Sequence, residues 1–355
     1  MSCVAEIVFE APAMTPDDGL ARCGWVALDL AGRAGLALPD VGISRALTLP
    51  RAHAEGGLAL GEVAVARVAV AAVRSGGDAG YIGVDGEALV PEVQIAEVRG
   101  AWTPFGLAVG TGLVADPWVA SGDAAWGLRP IAATFGEAAG WMDSSDLGGW
   151  LGWSAPDRRV TARVDIASGE GARFRERNEG KDLAATVSVR PAGEGGAVFT
   201  VYGRDGSRGL GLARDHRLGL RASGSLGPVT GMVEGLAAWG VDGDALRQPL
   251  GGSASLVARP FGPLLAYVRL DLSTEAWGDS EAGTRTVLAG AGVELPDMDA
   301  PPLRLIAGYS GTRVGDGVAA IAGASALQDA DMVFLQVGVT LGVASTCSNP
   351  SCSPR

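Results

Sequence analysis

The sequence predicts an all-β protein, a transmembrane antiparallel β-barrel of about 16 strands. Three observations lead to this fold class. Segments of roughly ten residues alternate between apolar and polar side chains, as tilted membrane-spanning strands do. The connections between these segments alternate between short and long. Glycine supplies 55 of the 355 residues, far above its average share of about 7%, and is spread along nearly the whole chain.

Composition disfavours long helices and a membrane-spanning helix in particular. Charged residues are only 19% of the chain and the mean hydropathy is +0.23. No window provides the roughly 18 uninterrupted apolar residues that a transmembrane helix needs. The most apolar stretch, Met332 to Ser345, is too short and is broken by Gln336 and Gly338. A membrane location would therefore require a closed barrel, the other fold that satisfies every backbone group in lipid.

The alternation is clear in several segments. Val160, Ala162, Val164 and Ile166 share one face of a predicted strand, while Arg163 and its neighbours share the other. Sixteen such segments can be placed, and an even number is expected of a single-chain bacterial barrel. Their predicted centres are Leu28, Leu47, Val68, Ala96, Val109, Trp150, Val164, Thr186, Val201, Leu220, Val233, Leu256, Val268, Ala289, Ile306 and Val337.

Connection lengths indicate which end of the barrel is which. The predicted short turns are Thr103 to Phe105, Ala155 to Arg158, Pro191 to Gly196, Gly224 to Gly227 and Pro260 to Gly262. The predicted long connections are Ser75 to Pro91, Ala115 to Ser144, Gly169 to Gly180, Gly240 to Gln248, Ser273 to Gly283 and Gly311 to Asp331. Short periplasmic turns and long external loops are typical of outer-membrane barrels. The predicted domains are an N-terminal periplasmic segment 1–20, the barrel 21–343 and a C-terminal tail 344–355.

The longest connection, 115–144, is the third external loop, and long loops in compact proteins are usually functional. We expect it to fold toward the pore and constrict it, although an ordered lid packed on its own tryptophans is the alternative. The predicted constriction residues are Asp116, Trp118, Asp123, Trp126, Arg129, Phe135, Glu137 and Trp141.

Charge excludes one class of partner and suggests another. The net charge of −12 makes nucleic-acid binding unlikely to be the function of this chain. The inward face is nevertheless predicted to be rich in arginine, which favours passage of anions. The predicted pore-lining residues are Arg67, Arg99, Arg163, Asp165, Arg190, Arg217, Arg221, Arg259, Arg269, Asp271 and Arg304. An equally compatible interpretation is that these arginines pair with Glu97, Asp165, Asp182 and Asp271 and leave little net field.

Four cysteines lie near the two ends of the chain. Cys23, placed before the first strand, and Cys347, after the last, would lie on the same side of a closed barrel, so they are a candidate disulfide. Cys347 and Cys352 have no nearby histidine and are not spaced as in a zinc site, and no metal or cofactor is expected. Catalysis is not expected either, because His216 beside Asp215 lacks a recognisable nucleophile motif and is better explained as a solvated rim histidine.

A resemblance to a known family rests on three stretches: Trp102-Thr103-Pro104-Phe105-Gly106, Ala115-Asp116-Pro117-Trp118, and Trp141-Met142-Asp143-Ser144-Ser145-Asp146-Leu147-Gly148. Between about residues 80 and 190, these resemble the phosphate-selective porins O and P and related outer-membrane porins. The resemblance implies a trimeric, sixteen-stranded channel in lipid that passes small anionic or polar solutes without covalent chemistry.

The sequence departs from that family in two places. Phosphate selectivity there rests on lysines, whereas Lys181 is the only lysine here, and the chain ends in Cys352-Ser353-Pro354-Arg355 rather than an aromatic residue. Outer-membrane localisation in a Gram-negative bacterium also requires an export signal, which the residues after Met1 do not resemble. We therefore expect a signal to have been trimmed. The alternative is a soluble or surface-attached all-β binding protein without channel activity.

Overall fold

The computed structural model describes residues 22–37, 44–60, 64–74, 89–169, 171, 180–193, 195–208, 212–241, 244, 246–275, 283–295, 303–315 and 330–343. The predicted end segments 1–20 and 344–355 lie outside these residues, so the division around the barrel stays a prediction. Among the described residues, no helix is long and apolar enough to cross a bilayer.

Sixteen antiparallel strands form a closed barrel. They are β1 (Arg22–Ala37), β2 (Ser44–Leu60), β3 (Ala64–Arg74), β4 (Leu89–Trp102), β5 (Leu107–Ala115), β6 (Ser145–Ser154), β7 (Val160–Ala167), β8 (Asp182–Val189), β9 (Val198–Asp205), β12 (His216–Leu226), β13 (Val229–Trp239), β14 (Leu250–Ala258), β15 (Leu264–Thr274), β16 (Gly283–Leu295), β17 (Leu303–Val314) and β18 (Ala330–Val343). Two further strands, β10 (Ser207–Arg208) and β11 (Ala213–Arg214), form a separate ribbon between β9 and β12.

The barrel closes between its first and last strands. β1 pairs with β18 from Val26↔Val343 to Ala37↔Met332, and with β2 on its other side. All other barrel strands pair with their neighbours along the chain, except that β9 pairs directly with β12. The closed ring leaves no free sheet edge, as a sheet in lipid requires. Each of the sixteen predicted strand centres lies in a different barrel strand, which confirms the strand count.

The two faces of the wall differ as the alternation predicted. On β15, Leu270 and Leu272 are 40% and 46% exposed, while the intervening Arg269 and Asp271 are 1% and 8% exposed. The same pattern recurs from β2 to β18, wherever side chains are described, so the outer face there is a surface of exposed Leu, Val, Ile and Phe side chains. Such a surface suits hydrocarbon rather than water.

The connections divide by length between the two ends of the barrel, as predicted. Short connections such as the 3-10 turn Thr103–Phe105 join strands at one end, and the connection 116–144 is at the other. Several details differ from the sequence prediction. β4 already begins at Leu89, inside the predicted connection 75–91, and β17 continues to Val314, inside the predicted connection 311–331. β12 continues to Leu226, so its turn to β13 is only Gly227 and Pro228, and the ribbon in the connection 206–215 was not predicted. Cys23 lies within β1 rather than before it, and Cys347 is outside the described residues.

Candidate functional site

The connection 116–144, hereafter the inner segment, contains two helices, α1 (Pro117–Trp126) and α2 (Phe135–Ala138). Asp116 caps α1 by accepting hydrogen bonds from Trp118 N at 2.8 Å and Val119 N at 3.1 Å. Proline at the first helical position and a left-handed glycine, Gly127 (φ 67°), at the C-cap complete the helix signals. The helix is therefore specified locally, within a chain of strands.

The two ends of the inner segment are tied together and to the wall. Asp116 N donates to Ser144 O at 3.0 Å, so the segment leaves and rejoins the barrel at one place. Tyr202 on β9 donates its hydroxyl to Asp116 Oδ2 at 3.0 Å. Arg217 on β12 donates Nε to the carbonyl oxygen of Trp141 at 2.7 Å.

The middle of the segment is held by the distant part of the ring. Arg269 on β15 donates Nη1 to Ala133 O at 2.6 Å, and Gln336 on β18 donates Nε2 to Pro130 O at 2.9 Å. All these wall side chains are on the face opposite the exposed apolar one. A single segment can reach both β9 and β18 on that face only from inside the cylinder, which confirms that the third long connection folds into the barrel.

Two apolar clusters fix the segment against the wall. The first joins Trp118, Phe135 and Trp141 to wall residues that include Tyr202 and Leu236. The second joins Trp126, Leu128 and Ile131 to Met232, Val257, Leu265, Tyr267, Leu288, Ile306 and Phe334. The second cluster covers the inner face of β13 through β18. Because water is excluded there, this part of the interior is a packed core rather than an open passage.

Three charged residues of the segment form a group of their own. Arg129 donates to Asp123 and, at 2.6 and 2.7 Å, to both carboxylate oxygens of Glu137. Burial acts to lower the pKa of Arg129, but the two carboxylates outweigh it and raise that pKa. The group is thus internally neutralised apart from one negative charge.

The ring order shows which wall faces the open side of α1. α1 packs against β12 and β13, and eight strands away around the sixteen-membered ring lie β2 and β3. Ala120 and Ala124, four residues apart on α1, are exposed, so they share the helix face turned toward that opposite wall. The space inside the barrel is therefore bounded by a small-residue helix face on one side and by β2 to β4 on the other.

Three partly exposed arginines lie on β3, β4 and β7, outside the stretch of wall that the inner segment covers. Arg67 donates Nη2 to Glu55 Oε2 at 2.9 Å, Arg99 lies 3.9 Å from Glu97, and Arg163 donates Nε to Asp165 at 2.9 Å. The side chains of these arginines are 25%, 17% and 20% exposed.

A tryptophan links two of these pairs. Trp150 Nε1 donates to Glu97 Oε1 at 2.6 Å, and the guanidinium of Arg163 lies 4.7 Å from the Trp150 ring centroid. Arg67, Arg99 and Arg163 are hereafter the arginine wall.

The remaining predicted pore-lining arginines are placed differently. Arg217, Arg221 and Arg269 are at most 4% exposed and bind the inner segment and their own acids, Asp215, Glu234 and Asp271. Arg259 and Arg304 share Glu294 near the short-turn end. Arg190, also at that end, donates to Arg158 O at 3.5 Å.

His216 and Ser223 lie far apart on β12. His216 begins β12 at the end with the long connections, where its Nδ1 lies 2.9 Å from Asp205 and accepts from Gly206 N. Ser223, seven residues along the same strand, is about 23 Å away at the usual rise and points to the other face. Among the described residues, no group of three or more His, Cys, Asp or Glu side chains is arranged to hold a metal ion.

The sequence did not single out several residues that organise the interior. Two of them, Tyr202 and Gln336, bind the inner segment. Glu55 pairs with Arg67 of the arginine wall, and Arg204 pairs with Asp182 and Asp215. In the sequence, these residues were marked only by their inward position in the alternating pattern of the strands. That position does not reveal which residues they contact.

No family model and no curated protein matches the sequence. Solved structures do match. Salmonella typhi OmpF in complex with daunomycin is 10% identical with a TM-score of 0.64, covering 90% of this chain and 97% of that one. The anion-selective porin from Comamonas acidovorans is 13% identical with a TM-score of 0.61, covering 91% and 100%. Pseudomonas aeruginosa OpdK with vanillate is 11% identical with a TM-score of 0.52, covering 90% and 99%. This chain therefore has the fold of these outer-membrane barrels.

Proposed function

We propose that this chain is an outer-membrane porin, a passive diffusion channel for small polar or anionic solutes. The observation that carries the proposal is a closed barrel with an apolar outer face whose interior is only partly filled. The inner segment covers the wall from β12 to β18 and leaves the arginine wall, on β3, β4 and β7, partly exposed. Such a layout provides a narrowed aqueous path without requiring any covalent chemistry.

The solute preference follows from the arginine wall rather than from all the arginines. Arg67, Arg99 and Arg163 keep part of their surface accessible, whereas Arg217, Arg221 and Arg269 are committed to the inner segment. A row of guanidinium groups lowers the barrier for anions even when neighbouring acids reduce the net field. The structurally similar porin from Comamonas acidovorans is anion-selective, which agrees with this preference.

Localisation and assembly follow from the same fold. Outer-membrane residence in a Gram-negative bacterium is supported by the outer-membrane relatives, and assembly as a homotrimer is supported by the trimer form of Vibrio cholerae OmpT. The motif resemblance to phosphate-selective porins supports membership in a porin group, but Lys181 alone does not supply a lysine-rich path. We therefore do not extend the proposal to phosphate specificity.

Planar-bilayer recording tests the channel directly. The purified protein, refolded in detergent, should insert as discrete ohmic steps, and a salt gradient should give a reversal potential of the sign for anion preference. A reversal potential of the opposite sign would contradict the proposed anion preference of the arginine wall, but not the proposal that the protein is a channel. If the protein instead remained in aqueous buffer without detergent and gave no steps, the alternative of a soluble all-β binding protein would replace the proposal.

A further inference from the structure

Two arginines lie side by side on the outer face of the barrel, at the end that carries the long connections. Arg285 on β16 and Arg313 on β17 are direct cross-strand partners. The partner of Arg285 on β15 is Leu272, an exposed apolar residue of the outer surface. Both arginines therefore point away from the interior, toward the surroundings of the barrel.

The two arginines differ in how they are held. Arg313 donates Nη1 to Asp331 Oδ1 at 3.0 Å and Nη2 to Asp331 Oδ2 at 2.7 Å, and Tyr309 donates its hydroxyl to Oδ1 at 2.6 Å. Both oxygens of Asp331 are thus occupied. Arg285 is exposed and makes no hydrogen bond or ion pair with the described part of the chain. Like charges directly opposite each other destabilise a sheet, so this arrangement calls for an external anion.

The position of the pair matches the boundary between hydrocarbon and headgroups. Val287, two residues along β16 from Arg285, is exposed and apolar. The ring of Tyr309 crosses Gly311, where an added Cβ would lie 2.7 Å from Tyr309 Cζ, so the absence of a side chain lets the ring reach Asp331. Below the arginines the surface is apolar, and beyond them begin the long connections.

We propose that Arg285 and Arg313 bind the phosphate group of an outer-leaflet lipid headgroup. Guanidinium groups bind phosphate through paired, charge-assisted hydrogen bonds, and the apolar surface beneath them accommodates acyl chains. Arg285 supplies the free guanidinium, and Arg313, oriented by Asp331, places a second guanidinium beside it. This inference rests on the proposed outer-membrane location, because it requires a phosphorylated lipid in the leaflet that surrounds the long connections.

Lipid binding by the detergent-refolded, full-length protein tests the inference. Diphosphoryl lipid A is titrated against the wild type and Arg285→Gln, and bound lipid is counted by native mass spectrometry. We expect Arg285→Gln to weaken binding on the order of tenfold, as expected for loss of one bidentate charge-assisted contact. Arg259→Gln, which changes a similarly exposed arginine at the short-turn end, should bind as the wild type does.

Further arms identify what the arginines recognise. Lipid A lacking phosphate should bind the wild type at least as weakly as diphosphoryl lipid A binds Arg285→Gln, and millimolar inorganic phosphate should not displace the lipid. Equal lipid binding by the wild type and Arg285→Gln would overturn the inference, as would complete displacement by inorganic phosphate. If Arg285→Gln lost a cross-linked oligomer that the wild type forms, but bound lipid as the wild type does, the arginine pair would instead contact a second copy of the chain.

The same proteins separate this inference from the channel proposal. Arg285 has no partner in the described structure, so Arg285→Gln should retain the wild-type conductance and heat-dependent shift on a gel. If no protein conducts but lipid binding still depends on Arg285, the channel proposal fails and the lipid site stands. If all the proteins conduct but lipid binding does not depend on Arg285, the channel proposal stands and the lipid site fails.

Discussion

The guanidinium of Arg221 lies over the ring of Trp118, with Cζ 3.8 Å from the ring centroid. The same group donates to Glu234 Oε2 at 2.6 Å and to the carbonyl oxygen of Trp118 at 2.9 Å. One buried side chain of the wall therefore joins a carboxylate of β13 to the first turn of α1. The same guanidinium also donates to Ser121 Oγ at 2.7 Å, so Arg221 holds α1 at two residues.

We predict that Arg221→Met destabilises the barrel by about 3–5 kcal/mol, because it leaves Glu234 charged and buried without a partner. The inner segment should also lose its hold at Trp118, giving larger and less uniform conductance steps. Unfolding in denaturant, followed by heat-dependent gel mobility, measures the first effect, and single-channel recording measures the second.

A double variant separates the ion pair from general packing. Arg221→Met combined with Glu234→Gln removes both charges and should recover part of the lost stability. Recovery of stability without recovery of uniform steps would show that the hold on Trp118 is a distinct contribution. A double variant as unstable as Arg221→Met would contradict the role of the buried charge.

The strands could be predicted from the sequence because their signal is local. The alternation around Val164 or Val268 depends only on the wall having an apolar and a polar side, and the closed barrel provides this everywhere. The path of the inner segment could not be predicted, because its contacts join residues far apart in the chain. Asp116 and Tyr202 are 86 positions apart, and Pro130 and Gln336 are 206 apart.

The same limitation explains why the sequence did not separate the buried arginines from the exposed ones. Arg67 and Arg269 occupy equivalent places in the period-two pattern, and the sequence therefore assigned both to the pore. In the structure, Arg269 is covered by Ala133 and Trp126, whereas Arg67 keeps a quarter of its side chain exposed. Only the course of the inner segment distinguishes them.

The exposed face of α1 should set the width of the passage. Ala124→Trp places a large ring on the side of the helix that is turned toward β2 and β3, and it disturbs none of the buried contacts of α1. We expect lower single-channel conductance with unchanged unfolding. Ala266→Trp, on the exposed outer face of β15, is the matched control and should conduct as the wild type does. Equal conductance of Ala124→Trp and the wild type would show that the open path does not run along this face of α1.

Selectivity should depend on the arginine wall. Arg67→Gln and Arg99→Gln remove charges from the exposed wall and leave Glu55 and Glu97 without these partners. A unit charge about 4 Å from a passing ion contributes about 1 kcal/mol in water, and its loss acts in opposite directions on anions and cations. Each change should therefore lower the anion-to-cation permeability ratio by up to about thirtyfold at low salt.

Reversal potential in a potassium chloride gradient measures this ratio. Arg285→Gln removes an arginine from the outer face and serves as the control that should leave the ratio unchanged. An identical ratio in the wild type, Arg67→Gln and Arg99→Gln would mean that the ion pairs cancel the field, which is the competing interpretation of the arginines.

The helix cap Asp116 should make stability depend on pH. Burial raises the pKa of this carboxyl, while the backbone hydrogen bond from Val119, the charges of Arg204 and Arg163 and the hydroxyl of Tyr202 act in the opposite direction. Between its ordinary pKa near 3.8 and the raised value, the folded state binds more protons than the unfolded state. Stability therefore falls as pH rises through this window and is recovered as pH falls.

Asp116→Asn keeps a capping oxygen but cannot titrate, so the wild type should gain stability relative to Asp116→Asn as the pH is lowered toward 4. Denaturant unfolding across this pH range measures the difference, with Asp157→Asn in the exposed turn after β6 as the control. A difference between the wild type and Asp116→Asn that stays constant with pH would show that the buried carboxyl does not control the attachment of α1.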